Sequence, residues 1–185
     1  MQTNIDVDKS ELFHLLKVHA FTKGKFILSS GKESGYYLDA RIVTLSAPGA
    51  YLTARIILDM IKVDHLDAIG GPTLGADPMV GAIASLSYQA GRPIKTFIIR
   101  KEPKAHGKQL QVEGPLLKEG GSVVIIDDVA TTGKAFVESI EVLQKMNIKI
   151  NKAICVIDRG EGAHEALAKY NVPLRSIFTI SDFLK

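Results

Sequence analysis

Apolar positions along this chain fall into two alternating patterns. Some form short uninterrupted runs rich in Val and Ile, such as residues 123–126, which are typical of strands buried on both faces. Others recur every three or four residues, as in residues 136–146, which is the spacing of an amphipathic helix. Together the patterns predict helix 10–20, strands 26–28 and 36–38, helix 48–61, strand 68–69, helix 77–89, strands 95–99 and 122–126, helix 136–146, strand 149–157, helix 161–170 and strand 174–178.

The order of these elements favours one α/β domain. Strands that alternate with helices are typical of a parallel sheet with right-handed crossovers. A length of 185 residues fits a single domain with room for a small appendage. Because ligands of such sheets bind at the carboxyl ends of the strands, we expect the site at that edge.

Residues 100–113 interrupt the alternation. This segment is polar and basic, and Pro103 and Gly107 break any regular pattern within it. A connection of this length is long for a compact domain and is typical of a lid over a binding site. From the residues alone, the alternative is a solvated loop or a β-hairpin with a charged tip.

The segment that follows strand 122–126 carries candidate chemistry. Two adjacent acids, Asp127 and Asp128, end the strand, and a Thr-Thr-Gly turn at 131–133 opens the next helix. Such a turn presents backbone N–H groups and the positive end of the helix dipole, which suit a phosphate. The acids suit hydroxyls, a metal or developing positive charge beside that phosphate. If the strand continues to Asp128, the two side chains point to opposite faces and need not act alike.

This pattern describes a site for a phosphorylated ribose that reacts at its anomeric carbon. It is not a P-loop, because Ala135 stands where a P-loop has the Ser or Thr that holds Mg²⁺. The alternative is an ordinary strand–helix corner, since acids at strand ends are common in α/β domains.

Composition narrows the function classes. The net charge of +3 is mild and the basic residues form no long run, which favours small anionic ligands over nucleic acid. An apolar content of 46% supports a sizeable core, and no signal peptide or membrane-length apolar run appears. We therefore expect a soluble, cytoplasmic protein with no membrane partner. Cys155 lies in an apolar run and is expected in the core. Four histidines show no convergent metal spacing: His14, His19, His65 and His164.

Four stretches resemble a known family. Residues 125–135 resemble the phosphoribosyl-diphosphate (PRPP) signature of type I phosphoribosyltransferases, and residues 100–107 resemble the catalytic loop of the orotate phosphoribosyltransferases. Residues 26–37 are similar to that family's N-terminal ligand turn, and residues 70–73 are similar to its diphosphate-side loop. Arg159 also follows a strand where the family places an arginine on the orotate carboxylate.

The resemblance implies a fold and a reaction. The fold is a parallel twisted sheet flanked by helices, with a small N-terminal hood and a flexible catalytic loop. It would divide the single domain 1–185 into an N-terminal helix and hood region, about 1–45, and a core, about 46–185. The implied reaction transfers the 5-phosphoribosyl group from PRPP to orotate, which gives orotidine 5′-monophosphate and diphosphate in pyrimidine biosynthesis. Mg²⁺ would be bound mainly through the PRPP diphosphate, and a homodimer would share the loop between subunits.

The resemblance also implies roles for residues of this chain. Catalytic roles go to Lys104, Asp127 and Asp128. A longer set of residues would bind PRPP, namely Arg100, Lys101, Lys104, His106, Asp127, Asp128, Val129, Ala130, Thr131, Thr132, Gly133, Lys134 and Ala135. Orotate binding goes to Thr131, Arg159, Tyr36 and Tyr37, although we expect one tyrosine on the orotate ring and the other in the core.

Arg159 has an alternative role, and two positions of this chain depart from the pattern of the family. A guanidinium can meet a planar carboxylate with two parallel hydrogen bonds, but Arg159 could instead form a salt bridge with Asp158 or Glu161. Many family members carry a lysine at the position of Ser29, and some carry one at the position of Gly75. Lys32 could replace the charge of the missing lysines, but we expect its side chain to lie in solvent. Two other functions remain as alternatives, a phosphoribosyltransferase for a purine or another base and a non-catalytic PRPP-sensing regulator.

Overall fold

The computed structural model describes residues 5–27, 33–102 and 111–185. Their helices are α1 (Ile5–Leu15), which continues into a π-helical turn (Leu16–Ala20), α2 (Arg41–Thr44), α3 (Ala47–Met60), α4 (Asp77–Gln89), α5 (Lys134–Lys145), α6 (Ala163–Ala168) and α7 (Ile180–Leu184). The strands are β1 (Phe21–Ile27), β2 (Glu33–Leu38), β3 (Ala68–Pro72), β4 (Lys95–Ile99), β5 (Val112–Glu113), β6 (Ser122–Ala130), β7 (Lys149–Asp158) and β8 (Leu174–Thr179).

The main sheet has six strands in the order β5-β4-β3-β6-β7-β8. Strands β4, β3, β6, β7 and β8 are parallel to one another, and the short β5 pairs antiparallel with β4 at one edge. The predicted parallel sheet flanked by helices is confirmed. The carboxyl ends of the two central strands, β3 and β6, therefore lie side by side, as binding at the edge of an open α/β sheet requires.

Both faces of the sheet are buried, which explains the uninterrupted apolar runs. In β6, Val124 and Ile126 pack into the core beneath α1, α3 and α4, whereas Val123 and Ile125 pack into the core beneath α5 and α6. Alternate side chains of a strand point to opposite faces, so a strand covered on both sides needs apolar residues at every position. Cys155 in β7 lies fully buried in the second core, as expected.

A separate two-stranded sheet stands at the N-terminal end. Strands β1 and β2 pair antiparallel from Phe21 opposite Leu38 to Ile27 opposite Glu33. We call this pair the hood hairpin. Phe21 anchors it, because its ring stacks on Tyr36 at 5.6 Å and also packs against Phe183 of α7. The hood hairpin is thereby attached to the C-terminal end of the core.

Some predicted element boundaries agree with the structure, and others differ for physical reasons. Helix α4 and strand β4 have the bounds that the sequence predicted. Strand β6 runs four residues beyond the predicted end, to Ala130, because its register with β7 continues past the acids. Helix α6 is shorter than predicted, since Gly160 and Gly162 take positive φ angles of 67° and 106° before it starts.

Other elements were missed or misplaced. Helix α1 begins before the predicted residue 10, and β1 begins at Phe21 rather than residue 26, because exposed polar residues there hide the alternation. Strand β5 and helices α2 and α7 are too short to give a periodic signal. No helix in the described ranges is both long and apolar enough to cross a membrane.

Candidate active site

The turn between β6 and α5 forms a small cavity of about 120 Å³ at the carboxyl end of the sheet. It is lined by Asp127, Val129, Ala130, Thr131, Thr132, Gly133, Lys134, Ala135 and Phe136. Bonding within α5 begins with the N–H of Val137, which donates to the Gly133 carbonyl at 2.9 Å. The amides before Val137 have no acceptor within the helix, so they are available to an anion at the positive end of its dipole. A cavity of this size suits a phosphate group rather than a whole nucleotide.

Gly133 makes the tight turn possible. Its φ of 81° lies in the left-handed region that favours glycine. An added Cβ would also stand 3.0 Å from Cδ1 of Leu167 and 3.1 Å from Cα of Ala163. The glycine of the predicted Thr-Thr-Gly turn is therefore required both by backbone conformation and by the approach of α6.

The two acids lie within β6 and line different cavities. Asp127 is 8% exposed and borders the phosphate-sized cavity, whereas Asp128 borders a second cavity of about 260 Å³. This placement follows from the alternation of side chains along a strand. Each carboxylate also accepts the amide of the next residue, Asp128 N–H to Asp127 Oδ1 and Val129 N–H to Asp128 Oδ1, both at 2.9 Å. The carboxylates are therefore fixed in place by the strand itself.

Asp127 resists carrying a full charge. Burial raises the pKa of Asp127 well above its ordinary value, and the neighbouring Asp128 carboxylate raises it further. Arg41, across the second cavity, opposes this rise by its positive charge. Asp127 therefore holds a proton more readily than an isolated aspartic acid in water.

The loop from β3 into α4 closes the site from the other side. Thr73 N–H donates to the Ile99 carbonyl at 3.0 Å, and its hydroxyl donates to Oδ2 of Asp77 at 2.7 Å. Gly75 in this loop packs directly on the acids, since an added Cβ would stand 2.5 Å from Oδ1 of Asp128 and closer still to Oδ1 of Asp127. A side chain at this position has no room while the backbone and the acids stay where they are.

Two of the four predicted loop cations lie at the same edge. Arg100 and Lys101 follow β4 and border a broad groove of about 700 Å³ together with Thr73, Lys134 and Ala135. Arg100 N–H donates to the Gln111 carbonyl at 2.8 Å, and Gln111 Nε2 donates back to the Arg100 carbonyl at 3.0 Å. These bonds and the β4–β5 pairing show that the segment starts and ends as a hairpin. The other two cations, Lys104 and His106, lie outside the described residues, as do Ser29 and Lys32.

Arg159 is held from the hood and from its own loop. Its Nε donates to the Tyr36 hydroxyl at 3.1 Å, and its guanidinium carbon lies 5.1 Å from the centre of the Tyr36 ring. Glu161 Oε1 stands 3.0 Å from the same Nε, so one of the two salt bridges considered for Arg159 is present. Asp158 instead contacts His164, at 3.1 Å. The arginine still borders the 260 Å³ cavity, together with Asp128 and Thr131.

Thr131 joins the two cavities, because it lines both of them. The structure thus brings the phosphate-sized turn, both acids and Arg159 into one continuous site. The two tyrosines differ in exposure. Tyr36 is half-buried against Phe21, whereas Tyr37 is 45% exposed beside Phe26.

Sequence reasoning missed two residues of the second cavity, Asp39 and Arg41. They follow the hood hairpin directly, far along the chain from the PRPP-like signature, and only the sequence Asp-Ala-Arg next to a predicted strand end could have drawn attention to them. For metals, the described residues contain no group of three or more His, Cys, Asp or Glu side chains that could hold an ion. Mg²⁺ is often bound by one or two carboxylates while phosphate oxygens and water fill its other coordination positions. Asp127 and Asp128 could supply such carboxylates.

Comparison with known proteins gives this geometry a family. The phosphoribosyl transferase domain family matches residues 50–181. The orotate phosphoribosyltransferase of Thermosynechococcus vestitus (strain NIES-2133 / IAM M-273 / BP-1) is 42% identical over 174 residues, which cover 94% of this chain and 92% of that relative.

Solved structures agree with the sequence match. The Mycobacterium tuberculosis H37Rv orotate phosphoribosyltransferase in complex with Fe(III) dicitrate superposes with a TM-score of 0.84 at 34% identity, and covers 95% of this chain and 98% of that one. The same enzyme in complex with PRPP gives a TM-score of 0.80 at 29% identity, and covers 96% of this chain and 99% of that one.

Proposed function

The chain belongs to the orotate phosphoribosyltransferase family, and on that premise we propose that it transfers the 5-phosphoribosyl group of PRPP to orotate. The products are orotidine 5′-monophosphate and diphosphate, in the biosynthesis of UMP. One observation carries this proposal beyond the family match. A phosphate-sized cavity and a cavity bordered by Arg159 meet at Thr131, with a carboxylate of the acid pair on each.

The two cavities fit the two ends of the reaction. The turn from Thr131 to Ala135 binds the 5′-phosphate of PRPP through backbone N–H groups and the dipole of α5. Arg159 binds the orotate carboxylate, and its side chain is only 13% exposed, so that water competes weakly with the ligand. The ring of orotate then lies in the 260 Å³ cavity, with its N1 directed toward the ribose at Asp128.

The reaction forms one bond and breaks one bond at C1′ of the ribose. N1 of orotate loses its proton to solvent, its electron pair forms the new bond to C1′ of the ribose, and the electron pair of the C1′–O bond leaves with the diphosphate. Asp127 and Asp128 bind the ribose hydroxyls and face the positive charge that develops at C1′. Arg100 and Lys101, together with Lys104 and His106 of the loop, stabilise the charge that grows on the diphosphate.

Mg²⁺ fits the donors that the site offers. The PRPP diphosphate would supply most of the oxygens of the ion, and Asp127 or Asp128 would contact it through water. When bound, the ion supplies charge neutralisation for the leaving diphosphate.

We further propose an assembly and an organisation of the chain. Residues 1–45 act as a hood whose Tyr36 positions Arg159 of the core, across 123 residues of sequence. The enzyme is a homodimer in which the loop that contains Lys104 reaches the neighbouring site. We place the enzyme in the cytoplasm, which agrees with a single, buried and free cysteine.

The direct test follows the absorbance of orotate when protein, PRPP and Mg²⁺ are mixed. Hypoxanthine and adenine replace orotate in parallel, because a transferase for purine bases would consume PRPP with one of them. Orotate-dependent consumption of PRPP supports the proposal. Binding of PRPP without consumption in any arm would instead favour a non-catalytic PRPP sensor.

Arg159→Ala tests how orotate is recognised. A charged hydrogen bond contributes about 1.5–3 kcal/mol, so orotate binding should weaken about 10- to 150-fold, with little change for PRPP. Arg159→Lys should recover part of the loss, since an ammonium group lacks the two-pronged geometry. Arg92→Ala is the matched control, because Arg92 is an exposed arginine that donates to the Lys62 carbonyl away from the site. Isothermal titration of each ligand measures both affinities, and an equal loss for orotate and PRPP would assign Arg159 to the scaffold.

A further inference from the structure

Two arginines from distant parts of the chain border the 260 Å³ cavity. Arg159 follows β7, whereas Arg41 begins α2 directly after the hood hairpin. The rest of the cavity wall comes from Leu38, Asp39, Gly75, Asp128, Val129 and Thr131. The roles proposed above use Arg159 and leave Arg41 without a task.

Arg41 is held in one orientation by Asp39. Its Nε donates to Oδ1 of Asp39 at 2.9 Å and its Nη2 donates to Oδ2 at 3.0 Å, while the Arg41 amide donates to Oδ1 at 3.1 Å. The hydrogen bond from Arg41 lowers the pKa of Asp39, so the carboxylate stays charged and the fork stays closed. A guanidinium has five N–H donors, of which this fork uses two, so three remain for a ligand.

The two arginines are built alike. Each is contacted at its Nε by a carboxylate two positions away, Asp39 for Arg41 and Glu161 for Arg159. Each guanidinium is therefore oriented before any ligand arrives, and a preorganised donor loses little side-chain freedom on binding. A planar ligand with a carboxylate at one end and oxygen acceptors elsewhere on its ring matches two such donors on one cavity.

We propose that Arg41 is a second substrate-binding cation, which contacts a ring oxygen of the orotate whose carboxylate is bound to Arg159. The proposal deepens the proposed function and rests on it. Orotate becomes a nucleophile when its N1–H proton is lost to solvent, and the negative charge then spreads from N1 onto the ring oxygens. The N1 electron pair next forms the N1–C1′ bond, and the C1′–O pair leaves with the diphosphate. Arg41 stays protonated throughout and transfers no proton.

Asp128 is the other group that Arg41 could serve, since both border the cavity. The ion pair of Arg41, however, is with Asp39 at 2.9 Å. An arginine committed to neutralising Asp128 would not be turned toward Asp39 by a two-pronged contact. Arg41 and Asp128 attract each other through their charges, but the side-chain hydrogen bonds of Arg41 go to Asp39, so its remaining N–H groups are available to a ligand in the cavity.

The expected effect is moderate because the Arg41 side chain is 45% exposed. Water competes with the ligand for such a donor, which places the loss at the low end for a charged hydrogen bond, about 10-fold in orotate affinity. The loss should appear in the KM of orotate more than in kcat, because the ring gives up its negative charge as the bond to C1′ forms.

The experiment titrates orotate and PRPP separately into wild type, Arg41→Ala, Arg41→Lys and the control Arg92→Ala. We expect Arg41→Ala to weaken orotate about 10-fold, Arg41→Lys to recover part of the loss, and PRPP affinity and Tm to stay at wild-type values. A second ligand separates the two arginines. The carboxamide of orotate keeps the ring oxygens but lacks the charge, so Arg41→Ala should weaken it by the same factor as orotate, whereas Arg159→Ala should weaken it less.

Three results would overturn the proposal. Wild-type orotate affinity in Arg41→Ala would show that Arg41 makes no contact with orotate. A larger loss for PRPP than for orotate would assign Arg41 to the PRPP side of the site. A fall in both affinities together with Tm would make it a scaffold residue. If Arg159→Ala also leaves orotate binding unchanged, the placement of orotate in this cavity has failed, and if wild type consumes no PRPP with orotate, the proposed function itself has failed. A loss in Arg159→Ala alone leaves both standing and removes only Arg41.

Discussion

Gly75→Ala should damage catalysis far more than stability. Gly75 packs against the two acids, and its new methyl group would stand 2.5 Å from Oδ1 of Asp128 and overlap Oδ1 of Asp127. Both oxygens are also acceptors of backbone amides at 2.9 Å, so neither carboxylate can turn away without losing a hydrogen bond. Either the loop or the acids must therefore move.

The expected sizes follow from this crowding. Overpacking of this kind costs about 1–3 kcal/mol, and replacing glycine by alanine returns about 0.4–1 kcal/mol by restricting the unfolded chain. The net loss of stability is therefore at most about 2.5 kcal/mol, or roughly 10 °C in Tm for a chain of this length. Catalysis is more sensitive, because a displacement of about 1 Å in an active site costs on the order of 100-fold.

Gly81→Ala is the matched control. Gly81 lies in α4 of the same loop–helix unit, and an added Cβ there meets nothing within 4 Å. Alanine should stabilise that helix by up to about 1 kcal/mol and leave activity unchanged. Steady-state kinetics and thermal unfolding of both variants give the comparison. Wild-type kcat/KM in Gly75→Ala would refute the reasoning, since it would mean that the positions of the acids beside this loop do not matter for the reaction.

Three further predictions concern the acids and the loop. Lys104→Ala should lower kcat about 10²–10³-fold, with orotate affinity unchanged in equilibrium titration, because a loop cation acts on charge that grows in the transition state; a large rise in KM at normal kcat would indicate a plain binding role. Asp127→Asn should raise Tm at about pH 8, and the gain should vanish near pH 4. The folded chain holds the pKa of Asp127 above its unfolded value, so wild type loses stability as pH rises through that pKa. The variant does not lose it, because its asparagine amide carries no charge at either pH. An equal gain at both pH values, or a gain at pH 8 in the control Asp59→Asn, whose half-buried carboxylate pairs with Lys62 at 3.0 Å, would contradict this cause. Mixing Lys104→Ala with Asp128→Asn should restore up to about a quarter of wild-type activity if the loop crosses a dimer, since half of the sites in each mixed dimer are then intact; no recovery after demonstrated subunit exchange would mean that each chain uses its own loop.

Local sequence patterns determined the elements of this fold and the first half of its site. The apolar runs of β6 and β7 predicted buried strands, and the sequence Thr-Thr-Gly predicted a phosphate turn at the start of α5, where Gly133 is left-handed. Such signals are readable because they depend on neighbours within a few residues, through side-chain alternation, helical spacing and backbone preference. The same rule anticipated that Asp127 and Asp128 would face different cavities once β6 continued through them.

Only the tertiary structure decided which distant residues complete the site. Strand order placed β3 beside β6, and this brings Gly75 against the acids, which no local pattern required. The contact of Tyr36 with Arg159 spans 123 residues, and Arg41 reaches the same cavity from the end of the hood hairpin. The physical reason is that these contacts are fixed by how the hood and the helices bury their apolar faces on the sheet. That burial also sets the positions of the polar side chains at the carboxyl edge of the sheet. The residues next to them in sequence therefore do not predict these contacts.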